Sequence, residues 1–496
     1  MMNVFGTRRV AVVIGSGFAG MAAACCLAQR GYSVTVLEKN GQTGGRARTW
    51  GKYGFTFDLG PSWYWMPDVF EQFFARFGKK PSDYYDLARL DPAYRVVFGA
   101  DDHVDISADL GELAERFERI EPGSAAKLRE FLSQAEYKYR VGMNDYVRRP
   151  SLSFFEFVDA RIVKESVRLQ MVQTMRSHVE SFFRDERLRR ILEFPILFLG
   201  GTGREIPAMY SLMNYADLVL GTWYPKGGMR KIADAMESLA VELGVAIVTD
   251  AEVARIEIER GNAQAVVTTD GTRYAADVVI AGADYHHVEQ NLIAPEYRTY
   301  DEAYWDKRVL SPSSLLFYLG VNKRLQNLKH HNLFFDEPLD PHADAIYKHP
   351  AYPDKPLFYV CCPSQTDDTV APPGCENVFV LIPLAPGLSD TDAERERQYG
   401  IVMERLERLT GQSIRDAVIV RRDYAHRDFV ADYHSYKGNA YGLANTLAQT
   451  AFWKPTIKPP KVRNLYYCGQ MTVPGPGVPP SLISGQIAAE LVIAGK

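Results

Sequence analysis

Residues 8–38 read RRVAVVIGSGFAGMAAACCLAQRGYSVTVLE, and the rest of the chain is organised around them. An apolar run over 10–14 leads into Gly15-Ser16-Gly17-Phe18-Ala19-Gly20, and a small-residue helical segment follows until Gly31 stops it. Residues 32–37 read as a second strand ending in Glu38. A strand, a G-x-G-x-x-G turn, a helix, a strand and an acid in that order make a dinucleotide-binding βαβ unit. Each residue type has a mechanical reason. Gly15 permits the tight turn, Gly17 lets the backbone approach a pyrophosphate, and Gly20 lets helix and strand pack closely. The helix N-terminus offers free N–H groups to phosphate, and Glu38 can accept hydrogen bonds from a ribose.

The chain has 496 residues, a length for about three domains when distant segments combine. With 46% hydrophobic and 24% charged residues it has the make-up of a folded protein with a large core. A net charge of −4 exerts no global pull on nucleic acid, and no nucleic-acid partner is expected. The 28 Tyr and 25 Phe either fill that core or line a long apolar channel; composition alone favours the core. Cys25, Cys26, Cys361, Cys362, Cys375 and Cys468 form no C-x-x-C and sit in apolar surroundings, the usage of a reducing cytosolic compartment. No charged leader opens the chain, and no window offers the roughly 18 uninterrupted apolar residues of a spanning helix.

Just past the βαβ unit stands Lys39-Asn40-Gly41-Gln42-Thr43-Gly44-Gly45-Arg46-Ala47-Arg48. Gly44 and Gly45 keep the loop free of side chains, and Arg46 can neutralise part of a pyrophosphate charge. This element resembles the GG-R motif of FAD enzymes with the p-hydroxybenzoate hydroxylase-like flavin fold, among them amine oxidases and carotenoid desaturases. The resemblance makes the dinucleotide FAD. Phe57-Asp58-Leu59-Gly60-Pro61-Ser62 is similar to a loop that passes beside the flavin ring in that family, although Gly60-Pro61 alone also reads as a plain turn.

From about 67 to 220 the pattern is helical, with amphipathic segments at 68–77, 112–120 and 123–140. The stretch from Phe154 to Tyr215 interleaves aromatics and arginines. Phe182, Phe183, Ile191, Leu192, Phe194, Ile196 and Phe198 lie beside Arg184, Arg187, Arg189 and Arg190. Two readings stand: an interfacial helix with basic residues against lipid headgroups, or a surface helix whose apolar face meets the core while its arginines snorkel. Asp145 with Arg148 and Arg149 is a candidate acid–base cluster, or a plain exposed ion pair.

A helix at 230–243 follows Gly227-Gly228, and strands read at 246–250, 252–259, 264–269 and 272–281, with 278–284 (VVIAGAD) as a core strand. By resemblance, Val253 holds adenine through its backbone. His286-His287 and His330-His331 invite a metal reading. Adjacent strand residues point to opposite faces, however, and no Cys or acidic cluster completes a tetrahedral set, so no metal is expected. Residues 312–321 and 376–383 read as strands of a second sheet, separated by a surface loop at 336–355; residues 390–410 form a charged helix.

The last seventy residues contain Gly438-Asn439-Ala440-Tyr441-Gly442, Gln449-Thr450-Ala451-Phe452, Asn464-Leu465-Tyr466-Tyr467-Cys468-Gly469 and Thr472-Val473-Pro474-Gly475-Pro476-Gly477-Val478-Pro479. They read as a strand, a Pro/Gly loop and a final helix at 481–493 whose N-terminus can face an anion. These motifs resemble the closing signature of the bacterial and fungal carotenoid desaturases of the phytoene desaturase type. The resemblance spans both flavin halves and most of the chain. Pro476, Pro480-Ser481-Leu482 and Gln470-Met471 depart from it and leave the family member open.

The expectation is an α/β protein: a Rossmann-like FAD-binding domain from 1–80, 221–290 and 431–496, a helical, membrane-contacting region at 81–220, and a substrate-domain sheet with helices at 291–430. The resemblance implies FAD held by Gly15, Gly17, Phe18, Ala19, Gly20, Glu38, Lys39, Gly44, Gly45, Arg46, Gly60, Pro61, Ser62, Val253, Gly469, Thr472, Gly477 and Val478. It implies desaturation of phytoene or a related polyene by hydride transfer to flavin N5, with oxygen or a quinone as electron acceptor, at a cytoplasmic membrane surface. A carotenoid 3,4-desaturase, isomerase or oxidase on the same scaffold is the alternative within the class. A non-catalytic prenyl-lipid carrier of the GDP-dissociation-inhibitor kind is the alternative outside it. No cysteine falls where amine oxidases bind flavin covalently.

Overall fold

The computed structural model describes residues 8–153, 156, 169–446 and 449–495, so the start of the stretch opening at Phe154, like the side chain of Phe198, lies outside the described residues. Strand Val10–Ile14, helix Phe18–Gln29 and strand Ser33–Leu37 form as the periodicity predicts. Val10–Ile14 sits at the centre of a five-stranded parallel sheet. Its neighbours are Ser33–Leu37 and then Ala246–Val248 on one side, and Val278–Ala281 and then Leu465–Tyr467 on the other. Three distant stretches of chain therefore build one sheet. Buried on both faces, its strands are near-continuous apolar runs. A three-stranded antiparallel sheet (Val253–Glu259, Asn262–Thr268, Arg273–Ala275) lies alongside.

Helix Phe18–Gln29 buries every residue from Phe18 to Leu27, as a helix packed on all sides must. It meets the final helix, Val478–Ile493, almost backbone to backbone: a Cβ added at Gly485 would stand 2.0 Å from the Ala19 carbonyl oxygen. On its other flank a Cβ at Gly20 would stand 2.0 Å from the Gly15 carbonyl oxygen. The tight packing assigned to Gly20 is thus what the fold requires.

The second sheet has seven strands, in the order Val418–Tyr424, Ser313–Val321, Glu376–Leu384, Phe358–Cys361, His331–Phe334, Tyr94–Val97, His103–Ile106. Alternation divides its residues between two cores. Leu315, Phe317 and Leu319 pack on helix Asp392–Thr410 through Tyr399, Val402 and Leu406, while Leu316 and Tyr318 face the nucleotide-binding sheet.

Three expectations are corrected. Residues 67–220 are not uniformly helical, because Tyr94–Val97 and His103–Ile106 form a hairpin that joins the seven-stranded sheet parallel to His331–Phe334. Residues 336–355 are not a surface loop, because they hold helix Leu339–Tyr347, whose buried His342 places Nε2 2.8 Å from the Pro383 carbonyl oxygen. The stretch 182–196 is not interfacial, because Phe183, Ile191, Leu192, Phe194 and Ile196 are buried in the core. Three of its four arginines find protein partners, while Arg184 is exposed. Arg187 pairs with Asp185 and Asp102, Arg189 donates to the Phe183 carbonyl, and Arg190 donates to those of Phe335 and Glu337. Among the described residues no helix is long and apolar enough to cross a membrane.

Gly485→Ala is expected to force the two helices apart and cost about 1–3 kcal/mol, the range for overpacking a filled interior, read as a lowered thermal midpoint. Gly400→Ala, inside helix Asp392–Thr410 with no atom within 4 Å of the added Cβ, is the control expected to raise the midpoint slightly through helix propensity.

Candidate FAD and substrate cavity

A cavity of about 360 Å³ runs between the two sheets. One wall is the glycine turn: Gly15, Gly17, Phe18 and Ala19 line it, with Gly44, Gly45, Arg46, Glu38 and Lys39 beside them. Gly17 has no atom within 4 Å of where a Cβ would be, so its backbone faces the space bare. No side chain caps helix Phe18–Gln29 and its first turn holds no acid, which leaves its N–H groups for an anion.

Arg46 lines the wall and stacks over the Tyr433 ring at 4.9 Å. One terminal nitrogen donates to Ser435 Oγ (2.7 Å), while Nε is buried without a partner. Burial lowers the guanidinium's pKa, with Tyr433 and Asp284 acting against that shift. An orphaned guanidinium nitrogen beside bare glycine backbone fits a pyrophosphate. Val253, first in its strand, reaches the same wall, as do Ala251, Gly282 and His287. His287 stacks on His434 at 4.0 Å, and burial together with that neighbour holds its pKa down to about 3.

Glu38 is on the wall but already occupied. Oε2 accepts from Ser16 N (3.0 Å) and Ser16 Oγ (2.6 Å), and Oε1 accepts from Asn40 N and Nδ2 (both 2.9 Å). Four donors fill a carboxylate's roughly four acceptor sites, so a ribose hydroxyl has to compete with the Asn40 amide or the Ser16 hydroxyl.

At the other end the Gly60-Pro61-Ser62 loop, Gly469, Gly477 and Val478 line the cavity. Gly20 and Thr472 do not: Gly20 serves packing, and the buried Thr472 hydroxyl donates to the Pro455 carbonyl (2.5 Å). Helix Val478–Ile493 opens onto the cavity with fewer donors than its position suggests, since Pro479 and Pro480 carry no N–H. Of its first three positions only Val478 has one. Asp145, Arg148 and Arg149 stand off the wall. Arg148 bonds Gln72 (2.9 Å) and Gln486 (3.3 Å), and Arg149 Nε donates to the Asp145 carbonyl rather than its carboxylate.

Sequence reasoning did not find the aromatic and aliphatic wall: Trp63, Trp65, Leu316, Tyr359, Leu381 and Tyr441. Of these only Tyr441 lies in a motif, Gly438 to Gly442, and alternation in the strand 313–321 is the usable signal for Leu316. The histidine argument also changes. His286 and His287 lie in a helical turn, and His330 directly precedes strand His331–Phe334. The His330 and His331 rings are 4.4 Å apart, and register sets Cys361 opposite His331, so a cysteine does accompany them.

Backbone open to phosphate, a guanidinium with one unpaired nitrogen and the GG-R loop define a flavin-dependent oxidoreductase with a separate substrate layer. Comparison with known proteins agrees: residues 18–493 match the family described as flavin containing amine oxidoreductase, and the chain belongs to that family and to its carotenoid-desaturase members. Its cofactor is FAD. A carotenoid 3,4-desaturase of Haloarcula japonica is 44% identical over 482 residues, 97% of each chain. A zeta-carotene-forming phytoene desaturase of Myxococcus xanthus is 33% identical over 486 residues, covering 97% of this chain and 93% of that one. An oxidoreductase from Methanosarcina mazei shares the fold, with a TM-score of 0.62 at 18% identity over 97% of this chain and 100% of its own.

Arg46→Ala is expected to weaken FAD binding by about ten- to a hundredfold, the worth of a charge-assisted hydrogen bond, measured by flavin fluorescence on titrating apoprotein. Asp58 accepts from Met229 N (2.8 Å) and Arg230 N (3.1 Å) at the start of helix Arg230–Glu242, yet burial pushes its carboxyl from 3.8 up to about 6. A carboxyl that binds its proton more tightly when folded stabilises most below about pH 4 and loses that contribution as pH rises through about 6. Asp58→Asn is therefore expected to flatten the fall in thermal midpoint across that window, a term of at most about 3 kcal/mol.

Proposed function

We propose that this chain is an FAD-dependent carotenoid desaturase that introduces carbon–carbon double bonds into a long acyclic polyene. One observation carries the reading: the dinucleotide cradle opens into the same cavity as an apolar chamber. The charged wall residues Glu38, Lys39, Arg46, Glu252, Asp284 and Asp432 all lie at the nucleotide end. The chamber is walled by Leu199, Met213, Leu316 and Leu381 with Trp63 and Tyr359, surfaces suited to a hydrocarbon.

FAD, when bound, supplies the hydride acceptor. The chain's own residues orient the polyene and exclude water. At the chamber end the polar atoms on the wall are hydroxyls, of Ser62, Ser314, Tyr359 and Tyr441. Such a wall leaves a cationic polyene to lose its proton to a weak acceptor. The final helix contributes its macrodipole and the Val478 N–H at the reacting end.

The 44% identity to a 3,4-desaturase favours a late step, on a polyene already conjugated, over the first desaturation of phytoene. Such a substrate partitions into lipid, so the protein works at a membrane surface, peripherally and on the cytoplasmic side, with oxygen or a quinone taking the electrons. We assign 1–80, 221–290 and 431–496 to the FAD-binding domain, and add the 94–106 hairpin to the substrate domain formed by 291–430.

The test is pigment extraction from two expressing hosts, one accumulating phytoene and one a coloured acyclic C40 carotenoid. A red shift in the second host alone is the expected result. Colour formed from phytoene would move the assignment to the early desaturases. Unchanged pigments in both, with a flavin-loaded protein, would overturn desaturation; a purified protein that takes up no flavin would leave the prenyl-lipid carrier.

A further inference from the structure

Behind the Ser62 and Trp63 wall lies a side-chain cluster that the desaturation reading does not use. Strands His331–Phe334 and Phe358–Cys361 pair with His331 opposite Cys361, which sets both side chains on one face of the sheet, and His330 precedes the strand. His330, His331 and Cys361 each bring a donor atom within 4.8 Å of the other two, and all three residues are buried.

The imidazoles are held the way metal-bound imidazoles are held. His330 Nδ1 is 2.9 Å from Thr366 Oγ1, and His331 Nδ1 is 2.6 Å from the Tyr359 hydroxyl. That hydroxyl in turn reaches Ser62 Oγ (3.0 Å), which leaves Nε2 as the open side of the His331 ring. Both Nε2 atoms are buried with no hydrogen-bond partner. A buried nitrogen without a hydrogen-bond partner is costly to keep, and both imidazoles carry one. A polar partner on Nδ1 orients the ring, as the outer partners of metal-binding histidines do.

We propose that His330, His331 and Cys361 bind one zinc ion through the two Nε2 atoms and the Cys361 sulfur. Two imidazoles and one thiolate are a borderline-soft, three-ligand set that suits Zn²⁺ in a tetrahedron with one open position. The fourth position falls to water: a cavity of about 20 Å³, enough for one molecule, is lined by His330 and Cys361 together with Asp58, Ser62 and Tyr224. Asp58 and Asp367 provide negative charge close by, Asp58 acting on Cys361 and Asp367 on His330. The binding step balances as Zn²⁺ plus the Cys361 thiol giving the zinc thiolate and one proton, which leaves to buffer. The ion would tie His330 and His331 to Cys361 across the two paired strands, next to the Tyr359 hydroxyl that reaches Ser62.

The test uses the full-length, FAD-loaded protein, stripped with a chelator and titrated with Zn²⁺ and, as a spectroscopic probe, Co²⁺. Expected are one metal per chain by elemental analysis, one proton released, and tetrahedral cobalt d–d bands to the red of flavin absorption. Cys361→Ser should abolish the bands. Thr366→Val, at an exposed position, removes only the hydroxyl behind His330 and should weaken binding about ten- to a hundredfold, so the test survives if the cysteine variant fails to fold. Equal metal uptake by wild type and either variant, or no tetrahedral cobalt signal in wild type, overturns the site. None of these readouts depends on desaturase activity, so the zinc site and the desaturase reading stand or fall separately.

Discussion

The structure depends on one close approach. Helix Phe18–Gln29, near the start of the chain, lies against helix Val478–Ile493, at its end, and the contact closes because Gly485 offers no Cβ to the Ala19 carbonyl. That contact brings the two lips of the cavity together. Gly15 to Ala19 form one lip and Gly469 to Ser481 the other, although about 450 residues separate them. The sheet repeats the arrangement, since Leu465–Tyr467 reaches Val10–Ile14 through the intervening strand Val278–Ala281. The nucleotide site therefore exists only when segments far apart in sequence have met in one sheet.

The substrate layer works by dividing one strand's residues between two tasks. In Ser313–Val321 the odd positions Leu315, Phe317 and Leu319 anchor the sheet on helix Asp392–Thr410, and the even positions Ser314 and Leu316 become cavity wall. The chamber's shape therefore rests on a rigid, fully hydrogen-bonded element rather than on loops. Charge is kept to the nucleotide end, where Arg46, Asp284 and Asp432 gather, and the chamber stays apolar.

Much of this was legible because it is local. The βαβ unit, Gly44-Gly45-Arg46 and the closing Pro/Gly loop are short patterns with fixed mechanical meanings, and they converge on one cavity. What escaped is what depends on distant pairing. The 94–106 hairpin reads as part of a helical region until it is seen beside Asn332, Leu333 and Phe334, more than 230 residues away. The arginines at 187–190 look basic in isolation, yet Asp102, Phe335 and Glu337 from other segments receive them. Helix Leu339–Tyr347 hides behind Pro338, Pro341 and two histidines, a composition that imitates a loop. His331 and Cys361 meet through strand register alone, which spacing along the chain does not reveal.

The two prolines at the head of the final helix have a consequence for the order of events during assembly. Pro479 and Pro480 fix their own backbone angles near helical values, so the turn at the cavity mouth is set before any cofactor arrives. Conformational entropy that a flexible Pro/Gly loop loses on ordering has already been surrendered in the unliganded chain. Cofactor capture then costs less ordering entropy than it would at a mouth that must coil as it closes.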